Sequence, residues 1–377
     1  MSPERPEPNA NPEHRNWGNR PWTVDFRAKP RTLPDIVDFA VVGGGFTGLT
    51  AAAWLKRLAP EKSVALLEAE AFGAGASGHT GGLALAESAA GNLPSLGDVL
   101  AGYQKILAEL QVNGSVRLPG VFELGRTAPL KNSPIRWSDS GDLRAVNEVP
   151  GGTIDPGKMV AGLAVAAERA GVLLFEHANV ERCEFLEPMR VHTSLGVLPA
   201  RHVLFATNAY SLELTDWTKR AEACFTLAVA TQPLADSTLV SIGLAHEKPF
   251  YTVDLPYLWG RLLGKQAIFG SGLVHFADWR EMHSLNIETG AAAESFSRLE
   301  NRIRGLHAEL REVAITHRWG GPIAISEGWV PIFERHPESS NAIVLGGYSG
   351  HGVAQSVYLA AWAAEALLGK RELPKWK

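Results

Sequence analysis

The chain has 377 residues, 45% hydrophobic and 20% charged, which is length enough for a large core in one or two domains. Its net charge of −4 offers no basic field for nucleic acid, and its two cysteines, Cys183 and Cys224, form neither a disulfide framework nor a CxxC or Cys/His ligand spacing, so no metal is expected. The polar, proline-rich N-terminus lacks a signal-peptide pattern and no apolar run approaches the ~20 residues of a spanning helix, so no membrane span and a cytoplasmic location are expected.

Residues 1–35 read as an extended arm, disordered at its start, with Trp17 and Trp22 placed to pin it onto the body. From Asp38 the pattern sharpens. An apolar strand, Phe39–Val42, runs into Gly43-Gly44-Gly45-Phe46-Thr47-Gly48; a helix, Leu49–Leu58, is closed by Pro60; a second strand, Val64–Leu67, ends on Glu68. This is G-x-G-x-x-G inside a βαβ unit. Gly43 permits the tight turn, Gly45 lets the backbone approach a pyrophosphate, and Gly48 allows close helix–strand packing. The helix N-terminus offers free N–H groups and positive charge to phosphates. Glu68 can accept both ribose hydroxyls, and would repel the 2′-phosphate of NADP. Strand, glycines, helix, strand and acid stand in register, so the unit reads as a dinucleotide site.

A second small-residue loop, Gly73 to Gly82, suits a flavin dinucleotide, whose ribityl and ring need small side chains close by. A helix is expected over Leu96–Val112, and a short strand over Gly120–Leu124. Pro156 suits a helix start, with Met159–Ala170 helical and Gly171 ending it. Strands follow at 172–175, 181–186 and 190–194, then a buried strand from Arg201 that ends in Ala206-Thr207-Asn208. Further strands are expected over Cys224–Pro233 and Lys265–Leu273, and Phe296, Leu299, Ile303 and Leu306 mark an amphipathic helix within Ala291–Leu310. The aromatic segment Phe250–Trp259 makes Tyr257 a candidate to touch substrate. Thr316-His317-Arg318-Trp319 leads on to a strand, Ala342–Leu345, then Gly346-Gly347-Tyr348-Ser349-Gly350-His351-Gly352-Val353 and an apolar helix to Leu368. His351 is a candidate base, and its glycine-rich setting equally suits a structural side chain. No HExxH, P-loop, G-x-S-x-G elbow or internal repeat is present.

Gly75-Ala76-Ser77-Gly78-His79-Thr80-Gly81-Gly82 resembles the GASGRNGG loop of the D-amino-acid-oxidase-like FAD amine oxidases, nearest in motif to the γ-glutamylputrescine oxidase and glycine–sarcosine oxidase types. The segment from Asp155-Pro156 to Ala206-Thr207-Asn208-Ala209-Tyr210, and the RWGG…GYSGHG ending from Arg318 to Gly352, resemble the same family in wording and order. The resemblance implies an α/β chain, α+β in its two-domain arrangement. A Rossmann-like FAD-binding domain would be assembled from 36–90, 150–215 and 319–377, and a discontinuous mixed-sheet substrate domain from 91–149 and 216–318. It implies FAD contacts at Ala76, Ser77, His79, Thr80 and Gly81, at Val180 beside the adenine, and at Ala206, Thr207, Trp319 and Gly347. Gly350, His351, Gly352 and Val353 would face the flavin N1–C2=O edge, which becomes anionic on reduction and is stabilised by a helix N-terminus.

The same resemblance implies hydride transfer from the carbon bearing a small amine's nitrogen to flavin N5, imine hydrolysis, and reoxidation by oxygen or another acceptor. His79 stands where the nearest pattern has arginine. In dimethylglycine-dehydrogenase-like relatives a histidine in the same loop position is bonded to the flavin 8α carbon, so covalent attachment through His79 is one implied arrangement and a non-covalent hydrogen bond the other. Relatives often activate oxygen with a lysine. Ile268 stands at that position, with Lys265 three residues earlier, which puts oxidase activity in doubt. Independently of the family, a single dinucleotide fingerprint leaves no second one for a nicotinamide donor, so electrons are expected from an organic substrate. Two rival readings are an FAD dehydrogenase of a hydroxy compound and a non-catalytic FAD-binding subunit of a larger amine dehydrogenase. The oligomeric state is left open.

Overall fold

Five parallel strands run side by side in an eight-stranded sheet of the computed structural model, which describes residues 15–215, 217 and 220–376. The disorder expected at the start of the arm lies outside the described residues. In spatial order the parallel strands are Leu173–Phe175, Val64–Leu67, Val37–Val42, Gly196–Phe205 and Ser339–Gly346. Ile332–His336 adds an antiparallel edge, and the strands Val180–Glu184 and Met189–Thr193 extend from Gly196–Phe205. Side-chain alternation explains why these strands are apolar on both sides. Phe39, Val41, Val64 and Leu66 join a core with the helices Phe46–Leu58, Pro156–Arg169 and Gly352–Leu367. Ala40, Val42, Ala65 and Leu67 face the opposite way, into a core shared with the second sheet.

That second sheet also has eight strands, in the order Ile315–Ser326, Ala221–Pro233, Gln266–His275, Trp259–Leu263, Phe250–Thr252, Val121–Gly125, Asp142–Val149 and Arg136–Ser138. Its pairs are antiparallel except Phe250–Thr252 with Val121–Gly125, so it is mixed. The helix Gly290–Leu306 buries the expected stripe of Phe296, Leu299, Ile303 and Leu306 in the shared core. The result is a mixed α/β fold with a Rossmann-like region and a separate mixed-sheet region. Among the described residues, no helix is long and apolar enough to cross a membrane.

Several element ends differ from expectation, each for a local reason. The helix expected over 96–112 is Val99–Glu109, because Asp98 caps it by accepting from Ala101 N at 2.9 Å. Asp155 starts the next helix the same way, at Pro156, by accepting from Lys158 N at 3.0 Å. The helix expected to reach Leu310 stops at Leu306, where His307 turns extended (φ −155°), and one 3₁₀ turn covers Ala308–Leu310. Trp319 lies within the long strand Ile315–Ser326, paired throughout with Ala221–Pro233 in the second sheet. The arm covers the free edge of that strand. Asn19 N donates to Arg318 O at 2.8 Å and Gly320 N to Trp17 O at 3.0 Å, while Trp17 and Trp22 are buried as expected.

Candidate dinucleotide and substrate cavity

The glycine turn sits at the C-terminal end of the central strand, where open α/β sheets bind ligands. Gly43 adopts φ +106°, and a Cβ there would come within 2.6 Å of Ala206 O. A Cβ on Gly48 would lie 1.9 Å from Gly43 O, so that glycine serves helix-to-turn packing. Phe46 N donates to Ser77 Oγ at 2.9 Å, which ties the second small-residue loop to the first turn. Glu68 Oε2 accepts from Gly44 N at 2.7 Å and Oε1 from Glu70 N at 3.0 Å. Burial outweighs those two bonds and pushes the Glu68 carboxyl up to about 7. A carboxylate has about four acceptor positions, so roughly two remain for ribose hydroxyls.

The second loop is held from outside by the arm and by Trp319. Trp22 Nε1 donates to Gly78 O at 2.8 Å, and Trp319 Nε1 donates to His79 O at 3.1 Å. His79 Nδ1 lies 2.9 Å from Gly75 O, and Arg20 Nη1 lies 3.1 Å from both ring nitrogens. A proton on Nδ1, with Nε2 accepting from Arg20, satisfies both contacts. Burial and the Arg20 charge lower the His79 imidazole to about 4, so the ring is neutral at pH 7. Trp17 meets it edge-on at 5.4 Å, and Arg15 pairs with Glu70 beside the cavity. Arg15 and Arg20 were not among the expected site residues. Their only sequence signal is the mixing of arginines with the two buried tryptophans.

A cavity of about 2010 Å³ runs from the glycine turn, past Glu68 and Val180, along the second loop to Gly350–Val353 and on to the wall of the second sheet. Pockets for small ligands measure roughly 300–1,000 Å³, so this one has room for a dinucleotide and a substrate together. All the expected cofactor residues line it except three. Gly48 stands behind the turn, Trp319 acts through its indole on His79 O, and Gly347 (φ +67°) donates its N–H to Asn208 Oδ1 at 3.0 Å. A Cβ on Gly350 would meet open space, and no side chain caps the helix that begins at Gly352, which leaves its first N–H groups suited to an anionic edge. These features fit FAD: an acceptor pair at Glu68, a backbone-lined path along the second loop, and a positive helix end at Gly352.

Both catalytic candidates, Tyr257 and His351, line the cavity. His351 Nδ1 lies 3.3 Å from Ser349 O, and burial lowers its pKa, so this ring too is neutral. Trp259, the last residue of the aromatic segment Phe250–Trp259, forms one wall. Its indole is seated between Gly81 and Gly270, where added Cβ atoms would come within 2.0 and 2.1 Å of the ring. Glu222, His275 and His283 complete this end. Ile268 is fully buried among Trp22, Ala228, Ala230 and Trp319, while Lys265 pairs with Asp236 at 3.0 Å on the surface. Among the described residues no lysine lines the cavity. The buried Cys224 thiol, pushed up to about 12 by burial and by Glu222, is protonated at neutral pH.

The doubly covered parallel sheet, the glycine turn with its acid and the long cavity define a dinucleotide-dependent oxidoreductase of the flavin class. Residues 38–366 match the family model described as FAD dependent oxidoreductase, and the chain belongs to that family. It is therefore an FAD-dependent enzyme. It is similar to gamma-glutamylputrescine oxidoreductase of Escherichia coli (strain K12), 26% identical over 379 residues, spanning 89% of this chain and 84% of that one. In fold it is similar to glycine oxidase from Geobacillus kaustophilus (TM-score 0.69, 18% identity, 91% and 97% of the two chains). It is also similar in fold to L-amino acid deaminase from Proteus myxofaciens (TM-score 0.72, 14% identity, 94% of each chain).

Proposed function

We propose that the chain oxidises the C–N bond of a small amine or amino acid, in the manner of the γ-glutamylputrescine and glycine oxidase types. The observation that carries this reading is the continuity of one cavity from the dinucleotide fingerprint to an aromatic, polar pocket on the second sheet. When bound, FAD supplies the acceptor for the hydride that leaves the carbon bearing nitrogen, and the imine product hydrolyses. Glu68 holds the ribose, and the loop from Ala76 to Gly81 follows the cofactor. The helix start at Gly352 faces developing negative charge. Tyr257 and Trp259 exclude water and orient the substrate. The buried Ile268 and the lysine-free wall support an acceptor other than oxygen.

An anaerobic screen read at the flavin band tests the proposal. Amines or amino acids should bleach the purified protein, whereas NADH and NADPH should not, since only one dinucleotide fingerprint is present. Bleaching by alcohols alone would favour the hydroxy-compound rival, bleaching by neither class would favour the non-catalytic subunit, and rapid bleaching by NADH would overturn the scheme. Repeating the productive assay in air should show slow reoxidation against an added dye acceptor.

Covalent attachment through His79 is the finer part of the proposal. A neutral ring on the cavity wall supports it, although Arg20 must first release the ring nitrogen. Acid precipitation separates the two arrangements. A covalent flavin stays in the pellet and adds the FAD mass to the peptide that contains His79; a yellow supernatant means non-covalent FAD.

A further inference from the structure

Three side chains of different donor type converge at the second-sheet end of the cavity. Glu222 and Cys224 are two residues apart on the strand Ala221–Pro233 and so share a face. The register pairs Cys224 directly with His275 on the neighbouring strand. Cys224 Sγ lies 3.4 Å from His275 Nδ1 and 3.4 Å from Glu222 Oε1, and His275 Nδ1 lies 3.2 Å from that same oxygen. It is the one cluster of metal-ligating side chains found among the described residues.

We propose that Glu222, Cys224 and His275 bind a zinc ion, with a fourth position open to the cavity. In a tetrahedral zinc site the bonds to sulfur, nitrogen and oxygen, about 2.3, 2.0–2.1 and 2.0–2.2 Å long, set donor–donor edges of roughly 3.3–3.6 Å. The three observed edges fall within about 0.2 Å of that triangle, so the ion needs only a small outward adjustment of side chains. A thiolate–imidazole–carboxylate set selects a borderline-soft cation and rejects magnesium and calcium, which take oxygen ligands. Binding replaces the thiol proton: the S–H bond breaks, the sulfur–zinc bond forms, and the proton leaves to solvent, with no change of oxidation state. Glu222 and His275 both line the cavity, so the remaining position is available to water or to another oxygen donor that enters there.

Equilibrium dialysis of the intact flavoprotein against zinc should give one bound ion per chain. His275→Ala and Glu222→Ala, both at exposed positions, should each weaken binding at least roughly tenfold with thermal unfolding unchanged. Cobalt in place of zinc should give a tetrahedral spectrum in the red, beyond the flavin absorption, with a sulfur-to-metal band that Cys224→Ser removes and Cys183→Ser keeps. Zinc uptake equal in parent and triad variants, or an octahedral cobalt spectrum without the sulfur band, would overturn the site and leave a hydrogen-bonded trio.

Discussion

Glu68→Lys should leave a protein that emerges from gel filtration without FAD. The substitution removes the acceptor proposed for two ribose hydroxyls and places a cation beside Gly44 N and Glu70 N, two donors that Glu68 now satisfies. Hydrogen bonds to a charged group contribute about 1.5–3 kcal/mol each, so losing two weakens FAD by roughly a hundredfold or more. Glu68→Gln is the graded control, because its amide keeps one acceptor and sets an N–H against the other backbone donor. The parent's affinity should also depend on pH. The free carboxyl has a pKa of about 7, and ribose donors favour its ionised form. FAD should therefore bind more tightly as pH rises from 5 towards 7, releasing a proton, and level off above. Stability of the free chain should run the other way. With the folded pKa raised above the usual 4.5, the unfolded chain ionises first, so stability falls as pH climbs from about 4.5 through 7. Unchanged FAD retention in Glu68→Lys, or pH profiles that survive Glu68→Gln, would remove Glu68 from the site.

Trp22→Ala carries the largest expected loss of stability. The ring is 7% exposed, packs edge-on against Trp319 at 5.3 Å and lies 5.7 Å from the Arg261 guanidinium. Deleting a buried tryptophan costs about 3–5 kcal/mol. Because its indole also holds Gly78 O, the loop from Ala76 to His79 should loosen and FAD should dissociate faster. Trp22→Phe separates the two effects: it keeps most of the packing and loses one hydrogen bond, about 1 kcal/mol. Denaturant unfolding and flavin release, measured on both variants, check this. If Trp22→Ala unfolds early yet binds FAD as tightly as the parent, the arm stabilises the fold without clamping the cofactor loop.

The parts of this protein legible in its sequence are those whose meaning is local. The turn from Gly43 to Gly48, the strand ending on Glu68 and the glycines before Val353 each need particular residues within one turn or one strand of each other, so spacing alone discloses them. The resemblance in the loop from Gly75 to Gly82 is equally local. Tertiary structure decided the rest. Trp259 is a wall because Gly81 and Gly270, far apart in the chain, leave it a slot. Arg20 and Trp22 serve the cofactor loop because the arm folds back along an uncovered strand edge. Trp319 and Gly347 stand behind the cavity wall because the Trp319 ring packs against Trp22 and the Gly347 N–H is held by Asn208 Oδ1, contacts made across the fold. Cys224 and His275, which no spacing along the chain relates, meet only through the register of two strands. Register is fixed by the whole sheet's packing, and no short stretch of sequence contains it.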